Sequence, residues 1–497
     1  MNIRFPSLPC LFLAAALAAP EASAIVKVRC SAWRGETIVV RTRDFDVART
    51  PPPGIFLREG RVEPVRYQTD APGVVDDAAN MHYGWVADRV VWGGMGDGVR
   101  VLEIAIAPEV KAGIYDFDDI LLTVADHVLP PPREWKYFLD LWQHPWAVAR
   151  VAGARPFSKP HYDAMRPVYE LLATAGQKCI TVSLLEQPWK HQCYDAYHAM
   201  VVKRRAADGT WSYDYSVFDE YVAFAESCGI GPDIACYTMC PWENLLDWIG
   251  PDGKENRTVA LPGSDFFREY WTAFLKDFSK HLEEKGWLGR TFIAMDERSP
   301  KDVKKIVDLV RTVAPGLKLS MPGDLSSKDV TALGFENYCS GLSKVTPEFC
   351  ELAKTRREKG LVTTCYVCCG PVRPNTFLST NASEAYWLGL YPATAGLDGF
   401  LRWAWNSWGA NPKKDGSYGF WRAGDVYLCY PDGEPSWRFL QLRAGIAAAE
   451  KYRILKESGT ESERLAKLDW MFDVKAAMAG KLDFRQIQAD AQAILNK

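Results

Sequence analysis

The sequence predicts an α/β chain, a (β/α)8 TIM-like barrel preceded by an all-β sandwich domain. Three observations predict it. Residues 25–128 carry short alternating segments separated by turn signals. From residue 137 onward, eight apolar runs alternate with longer helical patterns, which is the number of βα units that closes such a barrel. Several of the helical stretches end on glycine (Gly176, Gly229, Gly286, Gly360), the residue favoured just past a helix C-terminus.

Taken in order, residues 1–24 read as a signal peptide. Arg4 supplies the positive region, LFLAAALAA the short apolar core, and Ala22-Ser23-Ala24 the small-residue cleavage site. The segment is too short to span a bilayer, and no later stretch is apolar for about 20 residues. Export to the periplasm or the exterior is the expectation, with no transmembrane segment. Residues 25–132 form the expected N-terminal β-sandwich. Segments such as ETIVVRTRDF and RVLEIAIAP alternate apolar and polar residues, and PPPG (51–54), GGMGDG (93–98) and KAG (111–113) separate them; short strands with regular turns suggest an antiparallel sandwich. Pro130-Pro131-Pro132 is a stiff link to the barrel, expected over 133–430.

The eight barrel runs are YFLDLW (137–142), KCITVSLL (178–185), DIACYTM (233–239), RTFIAMDE (290–297), LKLSMPG (317–323), FENYCSG (335–341), VTTCYVCC (362–369) and GFLRWAWN (399–406). Between them lie helical stretches such as HYDAMRPVYELLATAG, FDEYVAFAESCG and FFREYWTAFLKDFSKHLEEKG. After the PDGEPS turn (431–436), residues 431–497 read as a C-terminal helical segment.

Composition narrows the function. Charge is nearly balanced, 59 basic against 62 acidic residues, with no basic stripe to follow a phosphate backbone, so nucleic acid is excluded as a partner. The 19 tryptophans, many in polar surroundings, suit stacking on flat ligand faces. Twelve cysteines follow the signal peptide, most inside apolar runs where a thiol behaves as a small hydrophobe. In CYVCC (365–369), strand geometry puts Cys365 and Cys369 on one side and Cys368 on the other. That splits the set, so no zinc site and no other metal or cofactor is expected; a disulfide from Cys193 or Cys240 stays open.

Chemistry in such barrels sits at the C-terminal ends of the strands. Those ends carry Trp142, Gln143 and His144; Glu186 and Trp189; Tyr237 and Trp242; Asp296 and Glu297; Asn337 and Tyr338; Tyr366; and Trp403, Trp405 and Asn406. Aromatic faces, amides and carboxylates are what a sugar site uses. Trp403 and Trp405, two apart, are expected on one side at the barrel mouth. The same rings can serve as barrel-layer packing, since tryptophan is highly buried on average.

TFIAMDERSP (291–300) ends an apolar run on adjacent acids. Burying either carboxylate unpaired costs several kcal/mol. Glycoside hydrolysis uses two carboxyl groups, one of them protonated, and neighbouring carboxylates split their pKa values because one charge disfavours the second. Two consecutive residues reach one site only where the strand ends. The usual retaining pair stands about 5–5.5 Å apart across the scissile bond, on different strands. An adjacent Asp-Glu instead fits cleavage in which the sugar's own 2-acetamido oxygen attacks the anomeric carbon. The competing reading is a solvated pair opening the next helix, where acids favour the N-terminal dipole.

LWQHPWAVAR (141–150), SKPHYDAMRPVYELLATAGQKCIT (158–181), WSYDYSVFDEYV (211–222), FIAMDERSP, GFLRWAWNSW (399–408) and GDVYLCYPDGEPSWRFLQLRAG (424–445) together resemble glycoside hydrolase family 123. The likeness covers the barrel and the C-terminal helical part, with a looser fit over the N-terminal domain. It implies a retaining, exo-acting β-N-acetylgalactosaminidase using acetamido assistance, with a terminal β-linked N-acetylhexosamine as substrate. By that resemblance Asp296 orients the acetamido group and Glu297 is the acid/base. Trp142, His144, Tyr237, Trp242, Asn337, Tyr366, Trp403, Trp405, Asn406 and Asp425 are binding candidates from position and motif context. Two alternatives remain at this stage: a β-glycosidase of other specificity, with a carboxylate such as Glu186 as nucleophile, and an inactive carbohydrate-binding barrel. Sugar and linkage, aglycone, oligomeric state and disulfide pairing are open.

Overall fold

The computed structural model describes residues 27–42, 49–68, 83–93, 99–419, 421–459 and 461–497; the expected signal peptide lies outside them. Seven strands build the N-terminal region: β1 (Val28–Arg34), β2 (Thr37–Thr42), β3 (Ile55–Gln68), β4 (Tyr83–Trp92), β5 (Val99–Ile106), β6 (Gly113–Phe117) and β7 (Ile120–Val128). They form two sheets, β1-β7-β6 and β2-β5-β3-β4. Their alternating apolar residues meet between the sheets, where Ala32, Ile55, Leu102, Ile104, Ile120, Leu122 and Val124 form a core of their own. One feature departs from the antiparallel expectation: β1 runs parallel to β7. Alternation of side chains reads the same in both orientations, so the sequence pattern carries no sign of it.

The barrel strands are β8 (Phe138–Leu141), β9 (Cys179–Ser183), β12 (Asp233–Tyr237), β15 (Thr291–Ala294), β16 (Lys318–Pro322), β17 (Asn337–Gly341), β18 (Val362–Tyr366) and β19 (Gly399–Arg402). Every strand falls inside one of the eight apolar runs. They pair in parallel in the order β8-β19-β18-β17-β16-β15-β12-β9, and their near-continuous burial is what parallel strands covered on both faces require. The seam between β8 and β9 closes differently. Lys178 N–H donates to Leu139 O at 2.9 Å, and two buried glutamine amides stand in for missing ladder bonds. Gln177 Oε1 accepts from Leu141 N at 2.9 Å, and its Nε2 donates to Cys179 O at 2.7 Å. Gln143 Oε1 accepts from Thr181 N at 2.9 Å. Buried backbone groups must find partners, and here side chains supply them.

Four short strands, β10 (Val202–Arg205), β11 (Trp211–Asp214), β13 (Leu245–Ile249) and β14 (Glu255–Val259), make a separate sheet in the order β11-β10-β13-β14. It is built from the segments that follow β9 and β12, at the end of the barrel where the site forms. The long helix α1 (Trp437–Ser458) crosses the helix Ser383–Thr394, apolar around most of its circumference. The crossing is tight: a Cβ on Gly445 would lie 2.1 Å from Tyr386 O, and one on Gly389 would lie 2.7 Å from Leu442 O. The C-terminus returns to β1, where Trp33 Nε1 donates to Leu495 O at 2.9 Å. No helix among the described residues is long and apolar enough to cross a membrane.

Candidate active site

A cavity of about 260 Å³ opens at the C-terminal ends of the barrel strands, lined by Trp142, Trp189, Gln192, Trp242, Asp296, Glu297, Pro322, Tyr366, Cys368, Cys369, Leu401, Trp403 and Trp421. A larger cavity, about 760 Å³, lies away from the barrel mouth, between the β1 and β2 region and α1, and carries none of the expected site residues.

β15 ends at Ala294, so the backbone leaves the strand before the two acids. That allows both to face the cavity. Asp296 folds back so that Oδ1 accepts the Glu297 backbone N–H at 2.8 Å, and Oδ2 accepts from Trp189 Nε1 at 2.8 Å. Burial pushes its carboxyl up to about 6, against those hydrogen bonds and the Arg298 charge, with the neighbouring Glu297 charge adding to the rise. Glu297 is exposed to the opening, and the Tyr366 hydroxyl donates to its Oε1. One acid is thus half-buried and fixed, and the other faces the opening with a hydroxyl to position it.

Aromatic rings form the walls. Trp142 and Trp189 lie 5.1 Å apart between centroids, and Tyr237 backs both, 4.4 Å from Trp142 and 5.1 Å from Trp189. Arg298 donates to Cys240 O at 3.0 Å and covers the Trp242 ring at 4.6 Å, which fixes that wall. Trp403 meets Trp421 edge-on at 5.4 Å, while its Nε1 donates to Asp425 at 3.1 Å.

Of the candidates read from sequence, Asp296, Glu297, Trp142, Trp242, Tyr366 and Trp403 line the cavity, as does Trp189, which was named with the strand ends. Six others do not, each for a local reason. β19 stops at Arg402, so the period of two cannot be carried to Trp405, which is buried against Phe439 at 4.7 Å. Asn406 binds backbone: it accepts from His144 N at 2.8 Å and donates to His144 O at 3.0 Å, tying the ends of β19 and β8. His144 caps a helix through Nδ1, which accepts from Ala147 N at 3.3 Å; burial lowers it to about 3, so it is neutral. Asn337 is the first residue of β17, not its end, and is buried at the opposite side of the barrel. Tyr237 is the fully buried backing ring described above. Asp425 is buried in an ion pair with Arg402 at 2.7 Å and supports Trp403 from behind. Glu186 is also outside the cavity lining. His198 at 2.9 Å and the Ala199 N–H at 2.8 Å hold its carboxylate. Gln192 and Trp421 line the cavity without having been singled out, and Cys368 and Cys369, expected on opposite sides of a strand, both line it because β18 ends at Tyr366 before them. They sit on loops, where no periodicity tells which residue turns inward.

Among the described residues no group of three or more His, Cys, Asp or Glu side chains is placed to hold a metal ion.

The family model described as the catalytic domain of glycoside hydrolase 123 matches residues 142–455. The chain belongs to glycoside hydrolase family 123. A family 123 glycoside hydrolase from Clostridium perfringens, solved in a study of glycolipid glycan hydrolysis, matches at TM-score 0.81 and 23% identity, over 95% of this chain and 94% of that one. That identity speaks to the fold, which the two chains share over both the β region and the barrel. An endo-β-1,4-mannanase from Thermotoga petrophila matches at TM-score 0.39 and 10% identity, over 65% of this chain and 78% of that one, too distant to bear on family 123 chemistry. No curated protein matched the chain. As a member of family 123 the chain is a glycoside hydrolase acting on a carbohydrate substrate.

Proposed function

We propose that this glycoside hydrolase is a retaining, exo-acting β-N-acetylgalactosaminidase that uses the substrate's own acetamido group as nucleophile. One observation carries the proposal. Among the described residues lining the cavity, the carboxylates are Asp296 and Glu297, consecutive on one strand end. A retaining enzyme with its own nucleophile places a second carboxylate across the bond, and Glu186, the candidate from another strand, is engaged elsewhere. The small cavity with its tryptophan walls supports binding of one terminal unit rather than the interior of a chain.

In the first step the acetamido oxygen attacks the anomeric carbon and Glu297 gives its proton to the leaving oxygen. Asp296 accepts a hydrogen bond from the acetamido N–H and opposes the positive charge that develops on the cyclic oxazolinium. Its own two hydrogen bonds hold it in place, so little reorganisation accompanies that charge. In the second step Glu297, now a carboxylate steadied by Tyr366, takes a proton from water, which opens the ring from the face the leaving group left. Two displacements at the anomeric carbon give retention.

A panel of nitrophenyl glycosides tests the reading. Turnover of the β-N-acetylgalactosaminide with none of the β-galactoside or β-glucoside supports it; turnover of the plain glycosides overturns it, and binding without turnover favours a lectin-like role. Glycolipid glycans are the natural substrates to try first, given what the Clostridium perfringens relative was studied for. Export is proposed on the sequence alone, and a secreted protein whose intact mass begins near Ile25 would support it.

A further inference from the structure

β18 ends at Tyr366, and the turn that follows runs along the cavity with two consecutive cysteines. Cys368 and Cys369 both line the cavity beside Glu297 and Trp403. Their Sγ atoms are 3.7 Å apart. Of the twelve described cysteines, Cys369 alone is exposed. The backbone under the pair is held by other groups. Cys368 N–H donates to Gly370 O at 3.1 Å. Cys368 O accepts from Asn375 Nδ2 at 3.1 Å, and Asn375 N donates to the buried Glu384 at 3.0 Å. The two thiols therefore face each other in a fixed turn without being needed to fold it.

The pair is chemically unequal. The hydrogen bond between the two thiols brings Cys369 down to about 7, against burial and the negative charges of Asp425 and Glu297, and pushes Cys368 up. Cys369, which is also the exposed one of the two, is the attacking thiol.

We propose that Cys368 and Cys369 form a dithiol modification site at the active cavity, which reduces a low-molecular-weight disulfide and closes to a vicinal disulfide that lowers glycosidase activity. The proposal rests on the reading of this cavity as the active site. The Cys369 thiolate attacks one sulfur of the small disulfide. That S–S bond breaks and the first thiolate leaves, taking a proton from solvent. Cys368 then loses its proton to solvent and attacks Cys369 Sγ in the mixed disulfide, expelling the second thiol. Two protein thiols are oxidised and one disulfide is reduced to two thiols. Consecutive Cα atoms are about 3.8 Å apart across a trans peptide, below the roughly 4.4–6.8 Å that disulfides prefer. Closure is therefore strained and easily reversed by reductant. It draws in the cavity wall next to Tyr366, which positions Glu297, and a displacement of about 1 Å in a catalytic site can cost about a hundredfold in rate.

The test treats the intact protein with oxidised glutathione, traps it with acid and alkylating agent, and reads the peptide carrying both cysteines by mass spectrometry. Wild type should lose two hydrogens and carry no glutathione. C368S should stop with glutathione on Cys369, and C369S should stay unmodified at Cys368. Cys369, exposed and carrying the larger thiolate fraction, should react faster at neutral pH than the half-buried Cys193 and Cys350, whose thiols burial pushes up. Activity should fall at least about tenfold on closure and return with dithiothreitol. A stable glutathione adduct in wild type overturns the proposal, as does modification of Cys368 in C369S at the wild-type rate. Closure with unchanged activity overturns its regulatory half when E297Q is inactive, and counts against the cavity as active site when E297Q is active.

Discussion

Replacing Asp296 with asparagine should make the protein relatively more stable as pH rises, while removing the acetamido partner. Asp296 is half-buried with its carboxyl raised to about 6, against about 3.9 for an exposed aspartate in an unfolded chain. The folded chain thus holds this proton more tightly than the unfolded chain. Its stabilising contribution is fully present below about pH 4 and is lost as pH rises through about 6. At about 1.36 kcal/mol for each pH unit between the two values, the loss is about 3 kcal/mol. Asparagine does not titrate, so the variant lacks this loss. Whatever the amide gains or loses against the Trp189 and Glu297 N–H groups is a constant that cancels between two pH values. Unfolding entropy of about 2.1 cal/mol/K per residue gives about 1 kcal/mol/K for 497 residues. The Tm of Asp296→Asn minus that of wild type should therefore climb by about 3 °C between pH 4 and pH 7. Differential scanning calorimetry of both proteins at matched ionic strength reads it. A difference that is flat with pH, or that falls, would refute the claim that the fold holds Asp296 against its ionisation.

The same ionisation should appear in kinetics, with wild-type kcat/KM falling as pH drops below about 6, because a protonated Asp296 cannot balance the oxazolinium charge. Glu297→Gln should lose about 10²–10⁴-fold on a natural disaccharide but far less on a dinitrophenyl glycoside, whose leaving group needs no proton; equal losses on both would remove Glu297 from the acid role. Trp403→Ala should raise KM or lower kcat with little change in Tm, whereas Trp405→Ala should cost about 3–5 kcal/mol of stability and leave kinetics at low temperature intact. Gly445→Ala should destabilise the fold by about 1–3 kcal/mol, the cost of overpacking, by forcing its helix away from Tyr386, and calorimetry should read this as a lower Tm.

Much of the fold was legible because parallel barrel strands are buried on both faces and stand out as apolar runs. The sheet of Val202–Arg205, Trp211–Asp214, Leu245–Ile249 and Glu255–Val259 was not. Its strands are mostly half-buried or exposed, so no apolar run marks them in the sequence. In the site, the acids and Tyr366 were legible because a strand end followed by a polar residue locates the barrel mouth. Asn337 was misplaced because it was read as a strand end although its run continues to Gly341, where β17 also ends, and Trp405 by extending strand geometry beyond Arg402. Gln192 and Trp421 could not be read at all: Trp421 Nε1 donates to Gln192 O at 2.9 Å, a contact between two loops 229 residues apart with no local signature.

The central claim is that the substrate's acetamido oxygen is the nucleophile, held by Asp296. A series of β-N-acetylgalactosaminides with none, one, two and three fluorines on the acetyl methyl tests it most directly. Fluorine withdraws electrons from the amide oxygen and changes size little. If that oxygen attacks the anomeric carbon, kcat for the wild-type enzyme should fall steeply and steadily with each fluorine. A kcat indifferent to fluorination would contradict the account and require a nucleophile from the protein.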